Sequence, residues 1–270
     1  MPHMIGKMEG LGMTSRVAST RSFAIFLALG LGHHTACAQG IHLDALREWL
    51  RNTEEAAQYV DKGDYAKAEE RLRLAIKEVR PYLPETQRVM ARSYCELARV
   101  LYHQKRYADA EPLARWALSV READKKAKPD AVFQSLYTLG LIRSAQKQHG
   151  EAEALLKRSL TIQETNLGPD HVNSAVVVNQ LALVYLDQAK YADAEALYQK
   201  AIAIHERKTP AENLDLAETA EKYAELLRRM KRFDDAERWR SRAVAIRENV
   251  ATKAAKAKAD REEIEFRGFK

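Results

Sequence analysis

Apolar residues recur at three- and four-residue spacing through most of the chain. The run through Leu181, Val184 and Tyr185 is typical of this spacing, alanine is plentiful, and strand-like alternation is absent. This pattern predicts amphipathic helices between about Leu43 and Asn249. Helix-breaking residues separate the predicted helices and indicate short connections. They lie at Gly63, Pro84, Pro129, Gly168-Pro169 and Pro210.

The helical region is built from one motif that repeats at a fixed interval of 42 residues. The motif is clearest at Lys190-Tyr191-Ala192-Asp193-Ala194-Glu195, and its ring position recurs at Tyr65, Tyr107, His149, Tyr191 and Phe233. Small residues recur in the same register. In the first helix of each unit they are Ala56, Ala98, Gly140, Ala182 and Ala224; in the second they are Ala68, Ala110, Ala152, Ala194 and Ala236, then Ala75, Ala117, Ser159, Ala201 and Ala243. A fixed period of this length predicts a solenoid of stacked helix pairs, with units near 43–83, 84–127, 128–169, 170–211 and 212–250 in an array over 39–250.

The phasing of the small residues resembles that of tetratricopeptide repeats. The segments Leu181-Ala182-Leu183-Val184-Tyr185 and Leu167-Gly168-Pro169-Asp170-His171 resemble the kinesin-light-chain type of this family. The resemblance implies an all-α, right-handed superhelical solenoid of about five helix-turn-helix units that binds a protein or peptide in its concave groove. Two residues depart from the family pattern: His149 at a turn aromatic position and Arg240 at a position that is usually aromatic.

Residues 1–38 have the pattern of a secretory signal peptide. Arg16 and Arg21 precede an apolar run over 23–31, and the small-residue site Ala36-Cys37-Ala38 follows. The run is short for a bilayer span, so a membrane anchor is expected only if the leader stays uncut. A second alternative is a lipoprotein acylated on Cys37. The favoured interpretation is cleavage before Gln39, which predicts an exported protein, periplasmic or secreted, with no membrane insertion after cleavage.

The charge pattern does not favour a nucleic-acid partner. The chain has 44 Lys and Arg against 38 Asp and Glu, a net charge of +6, but the two signs alternate through the repeats as they do on solvated helix faces. Residues 251–270 continue as a charged stretch without an apolar stripe, which predicts a helical, solvated extension that caps the array. Docking of its lysines on an anionic surface is the alternative.

No pattern in the chain predicts catalysis, a cofactor or a metal. Phosphate-binding loops, nucleophile elbows and paired metal-ligand spacings are all missing from the sequence. Removal of the leader leaves Cys95 as the one cysteine, and we expect it to be a small residue at a helix surface. One carboxylate recurs in every unit, which indicates a structural role; its members are Glu69, Glu111, Glu153, Glu195 and Glu237. The sequence therefore favours a non-enzymatic protein.

The resemblance also implies where a partner would bind. Inward-facing positions of each first helix in the family correspond here to Arg92, Cys95, Arg99 and Tyr102; Gln134, Tyr137 and Leu141; Val176, Asn179 and Leu183; and Glu218, Glu221, Glu225 and Arg228. Asn179 matches the asparagine that reaches the backbone of a bound peptide in that family. The predicted groove runs from basic through apolar to largely acidic, with apolar anchors in its centre. The alternative function is a structural or assembly scaffold of an envelope complex that self-associates or acts as a spacer, and the sequence leaves the partner and the oligomeric state open.

Overall fold

The computed structural model describes residues 43–82, 86–208 and 214–268, with the side chains of 208, 257 and 259–268 outside this description. The described chain divides into two compact units, which meet in sequence between Ala127 and Lys128. The predicted signal peptide lies outside the described residues. In the described part of the chain, no helix has the length and apolar character needed to cross a membrane.

The first unit contains four α-helices. They are α1 (Leu43–Asp61), α2 (Tyr65–Val79), α3 (Gln87–His103) and α4 (Tyr107–Ala123), with a short 3-10 helix, Arg80–Tyr82, after α2. The second unit contains six. They are α5 (Pro129–Ala145), α6 (His149–Leu167), α7 (Val172–Asp187), α8 (Tyr191–Lys208), α9 (Leu214–Arg229) and α10 (Phe233–Gly268).

Consecutive helices pack as pairs, α1 on α2 through α9 on α10, and each pair also contacts the next pair of its own unit. The described residues therefore form five helix-turn-helix repeats and no strand. This confirms the predicted all-α repeat fold.

The turn between the two helices of a repeat has the same backbone conformation each time. One residue per turn has a positive φ near 60–70°, at 42-residue intervals: Gly63, Lys105, Lys147, Ala189 and Lys231. The next N–H donates to the carbonyl five residues back, as Lys190 N does to Tyr185 O at 2.9 Å. These bonds form a Schellman-type cap that satisfies the last carbonyls of the first helix. Glycine occupies the positive-φ position of this turn in the first repeat alone.

The recurring small residues line the contacts between helices. Ala182 on α7 is fully buried, and so are Ala194 and Ala201 on α8. At Gly140 an added Cβ would lie 2.9 Å from Leu156 Cδ2, closer than van der Waals contact allows. Small side chains at these positions are therefore what lets neighbouring helices approach closely.

The expectation for Cys95 is wrong, because the thiol is fully buried rather than at a helix surface. It lies in a cluster with Ala91 and Ala117, against which Tyr94 and Trp116 pack. The two alanines bring α3 and α4 close together, so no solvent reaches the sulfur. Cys95 is consequently not available as a groove contact.

Ion pairs join neighbouring repeats at the recurring carboxylate. Arg106 Nη1 lies 2.9 Å from Glu69 Oε2, and Arg232 Nη1 lies 2.6 Å from Glu195 Oε1, each across 37 residues of chain. Burial raises the pKa of the Glu69 carboxyl, but hydrogen bonds from Arg73, Gln104 and Arg106 outweigh this effect and lower the pKa overall. The recurrence of this carboxylate thus has a structural cause.

Candidate functional site: the first-helix surface of the second unit

The first helices of the last three repeats, α5, α7 and α9, are neighbours in the second unit, since α7 contacts both α5 and α9. Four of the predicted groove residues on α5 and α7 are apolar and only partly buried: Tyr137, Leu141, Val176 and Leu183. We refer to these four residues together with Asn179 as the first-helix surface. A helix face built from partly exposed apolar side chains is suited to contact with another chain.

Packing beneath this surface holds its side chains in place. Tyr137 stacks on Phe133 with 5.9 Å between ring centroids, and both pack on a core cluster that includes Leu156. Leu183 packs on a second cluster, which joins the fourth and fifth repeats. The apolar side chains are therefore pre-organised, which lowers the entropy lost when a partner binds.

Asn179 lies between these apolar residues and is 8% exposed. Its Oδ1 is buried and has no hydrogen-bond partner in the described chain. A buried, unpaired acceptor costs about 1–3 kcal/mol of stability. The described residues therefore leave this amide oxygen unsatisfied.

The predicted groove residues of the fifth repeat are paired with bases rather than forming an open acidic surface. Arg247 on α10 forms a two-pronged ion pair with Glu221, and Nη2 lies 2.9 Å from Oε2. This hydrogen-bonded arginine lowers the pKa of the Glu221 carboxyl. Glu225 is paired with Arg229 at 3.0 Å, and Glu218 is paired with Lys222.

Glu221, Glu225 and Arg228 do come together, around a pocket of about 230 Å³ that Arg240 also lines. Arg240 and Arg247 were not among the residues predicted for this site. Their equivalents one repeat earlier are Tyr198 and His205, both buried. The two arginines make this helix pair more polar than the pair before it, and the departure at Arg240 from the family pattern was the signal of this in the sequence.

Gln134 lies on α5 and donates to Asp130 Oδ2 at 3.2 Å, whereas the predicted groove residues of the second repeat lie on α3 in the first unit. Arg92 is exposed, with its guanidinium carbon 5.7 Å from the centre of the Trp49 ring. Arg99 pairs with Glu96 at 3.1 Å, and Tyr102 is half-buried against the ring of Tyr107. Part of the predicted basic character is therefore compensated within α3.

The residues described here offer no set of three or more His, Cys, Asp or Glu side chains arranged to hold a metal ion. The first-helix surface has no nucleophile next to a base. Its chemistry is that of apolar contact and amide hydrogen bonding.

Comparisons with known proteins agree with this architecture. Residues 132–207 match a family model described as Tetratricopeptide repeat, and residues 90–123 match a second model of the same description. These two stretches are similar to tetratricopeptide repeats. A comparison with curated proteins gave no match.

Solved structures with similar folds include kinesin-light-chain-like repeat proteins. BtubC (BKLC) from P. vanneervenii is 21% identical with a TM-score of 0.63, and the match covers 85% of this chain and 90% of that one. A putative kinesin light chain with nearly identical TPR-like repeats from Podosopora anserina is 20% identical with a TM-score of 0.59, covering 77% and 97%. A Rap protein complexed with Competence and Sporulation Factor is 15% identical with a TM-score of 0.67, covering 78% and 57%. The predicted likeness to the kinesin-light-chain type is confirmed at the level of fold.

Proposed function

We propose that this protein is an exported, non-enzymatic interaction module that binds a peptide or partner protein on its first-helix surface. The observation that carries the proposal is the set of partly exposed apolar side chains on two neighbouring first helices, Tyr137 and Leu141 on α5 with Val176 and Leu183 on α7. Anchors of this kind supply most of the binding energy at protein interfaces. The solved Rap protein complex is consistent with such a role for a tetratricopeptide fold.

The unpaired Oδ1 of Asn179 supports an extended peptide as the ligand. A peptide backbone offers one donor and one acceptor per residue, and a carboxamide can pair with both. Because Oδ1 of Asn179 lacks a partner among the described residues, a backbone N–H that reached it would remove an existing energetic cost. The apolar neighbours would then take alternate side chains of the peptide.

Two groove variants test this proposal against a matched control. Peptides are selected on the wild-type protein from a random display library, and their affinities are measured by calorimetry. Tyr137→Ala with Leu183→Ala, and separately Asn179→Ala, should each weaken binding by about tenfold or more, as expected for central anchors. The control, Leu167→Ala with Val244→Ala, removes the same number of apolar side chains from exposed positions of second helices α6 and α10.

Unchanged affinity in both groove variants, or an equal loss in the control, would remove the first-helix surface as the binding site. Circular dichroism melts of every variant separate lost binding from lost fold.

Export is the second part of the proposal, and it rests on the leader-like sequence of residues 1–38. N-terminal sequencing of material from the native host should give Gln39 as the first residue. A chain that still starts at Met1, or one that starts at a lipid-modified Cys37, would contradict it.

Self-association is the alternative that one structural feature favours. Phe233 is 65% exposed although it occupies the ring position of the repeat motif, and Val244 on the same helix is 45% exposed. Light scattering after size-exclusion chromatography decides between the two functions. A monomer supports ligand binding, whereas a dimer that Phe233→Asp dissociates supports assembly.

A further inference from the structure

Four exposed side chains form a stripe along α10, the last helix that the structure describes. They are spaced four, three and four residues apart, so they lie on one face of the helix: Phe233, Glu237, Arg240 and Val244. The two apolar members, Phe233 and Val244, are at the ends and are 65% and 45% exposed. The side chain of Glu237 is 63% exposed. We call these four residues the end stripe.

The equivalent stripe of the fourth repeat is covered by the fifth repeat. Its members are Tyr191, Glu195, Tyr198 and Ile202. Tyr198 and Ile202 are buried in the cluster that joins the two repeats, and Tyr191 packs against that cluster. Glu195 accepts a hydrogen bond from the hydroxyl of Tyr223 at 2.8 Å. This face of a second helix is therefore a packing surface in the repeat architecture.

The end stripe lacks such a cover among the described residues, because no described helix follows α10. Glu237 Oε2 lies 3.8 Å from Arg228 Nη2, which is a long distance for an ion pair. Arg240 is exposed to solvent as well. Apolar side chains that are exposed where the preceding repeat buries them indicate a contact with another molecule.

One substitution between the two stripes decides which molecule fits. Arg240 occupies the position of the buried Tyr198, so the end stripe reads apolar, acidic, basic, apolar. This order is complementary to itself when two copies of the helix run antiparallel. Phe233 then lies opposite Val244, and Glu237 lies opposite Arg240, because both pairs are centred on the same point between residues 238 and 239.

We propose that the end stripe is the interface of a twofold-symmetric dimer, in which α10 packs antiparallel on α10 of a second copy of this chain. Two ion pairs between Glu237 and Arg240 lie at its centre, and a contact between Phe233 and Val244 lies at each end. An interface of this kind uses the same patch of both copies. Parallel helices would place like charges opposite each other, which is unfavourable, so the order of charges selects the antiparallel arrangement.

This inference rests on the self-association alternative given above and supplies its geometry. It is compatible with the peptide site, because the end stripe shares no residue with the first-helix surface. The contact has few residues on each side, so we expect a weak dimer with a Kd of about 10–100 μM.

The test is sedimentation-velocity ultracentrifugation of the full chain over about 5–500 μM, a range that spans the expected Kd. The wild-type protein should pass from monomer to dimer. Glu237→Arg brings bases opposite Arg240 of the second copy, and Arg240→Glu brings acids opposite Glu237. Each variant alone should raise the Kd about tenfold or more, because like charges then meet at the centre of the interface.

The decisive sample is an equimolar mixture of these two variants. One chain then carries two bases in its stripe and the other carries two acids, so the mixed pair is complementary and should dimerise at least as tightly as the wild-type protein. The control is Arg238→Glu, which reverses a charge at an exposed residue of the same helix outside the end stripe. It should dimerise like the wild-type protein.

Four results would each overturn the proposal. They are a wild-type monomer at every concentration, a dimer that both single variants retain, a mixture that stays monomeric, and an equal loss in Arg238→Glu. The peptide affinities described above are also measured for Glu237→Arg and should equal the wild-type values. Failure of the dimer and failure of the peptide site are therefore separate results.

Discussion

Trp49 on α1 donates its indole N–H to Ser93 Oγ on α3 at 2.7 Å, and both side chains are buried. This hydrogen bond joins the first helices of two successive repeats. Ser93→Ala would leave the indole N–H unpaired, which costs about 1–3 kcal/mol for a buried donor. Urea unfolding should show a loss of that size, while Ser119→Ala, at an exposed serine of the same unit, should change stability by less than about 0.5 kcal/mol.

A double variant makes this prediction sharper. Trp49→Phe removes the donor, so adding Ser93→Ala to it should cost less than Ser93→Ala alone costs in the wild-type protein. Strict additivity of the two changes would show that the hydrogen bond contributes nothing.

Ala182 tests the register of the repeats. It is fully buried on α7, and Ala182→Leu would overpack the helix contact at a cost of about 1–3 kcal/mol. Thermal melts should show a lower Tm, whereas Ala196→Leu, at an exposed position of α8, should melt like the wild type. An unchanged Tm for Ala182→Leu would mean that the position is not at a helix contact.

Ala189 has a φ of 58° in the turn between α7 and α8. The left-handed region costs a non-glycine residue about 1–2 kcal/mol, and the greater chain entropy of glycine offsets about 0.5–1 kcal/mol of this. Ala189→Gly should therefore raise the free energy of unfolding by about 0.5–1 kcal/mol. Ala203→Gly, at an exposed position inside α8, should lower it by a similar amount, and a loss of stability in both variants would refute the assigned turn.

His205 on α8 is buried, and burial lowers the pKa of its imidazole below the ordinary value of 6.5, while Asp215 partly opposes this. Well above pH 6.5 the imidazole is neutral in both the folded and the unfolded chain, so its contribution to stability is constant. Below that pH the unfolded chain takes up the proton more readily, so stability falls as the solution is acidified.

Denaturant unfolding at several pH values between 7.5 and 5.5 should show this loss, and His205→Gln should make the profile flatter. Identical slopes in the wild-type protein and His205→Gln would exclude His205 as a source of the pH dependence.

The sequence determined the repeat architecture, because the feature that builds it is local and recurs. A small residue is needed wherever two helices approach, and positions such as Gly140, Ala182 and Ala224 show that requirement directly at 42-residue spacing. Glu195 and the glutamates at its equivalent positions were likewise recognisable as structural, because a residue present in every repeat is explained by a contact that every repeat makes.

Tertiary packing decided what the periodicity could not specify. The burial of Cys95 depends on how closely Ala91 and Ala117 let two helices approach. The ion pair of Glu221 depends on Arg247, which is 26 residues away on the next helix. No residue type in the sequence predicts the turn conformation at Ala189. The neighbouring helices hold the backbone there at a positive φ, which alanine by itself disfavours.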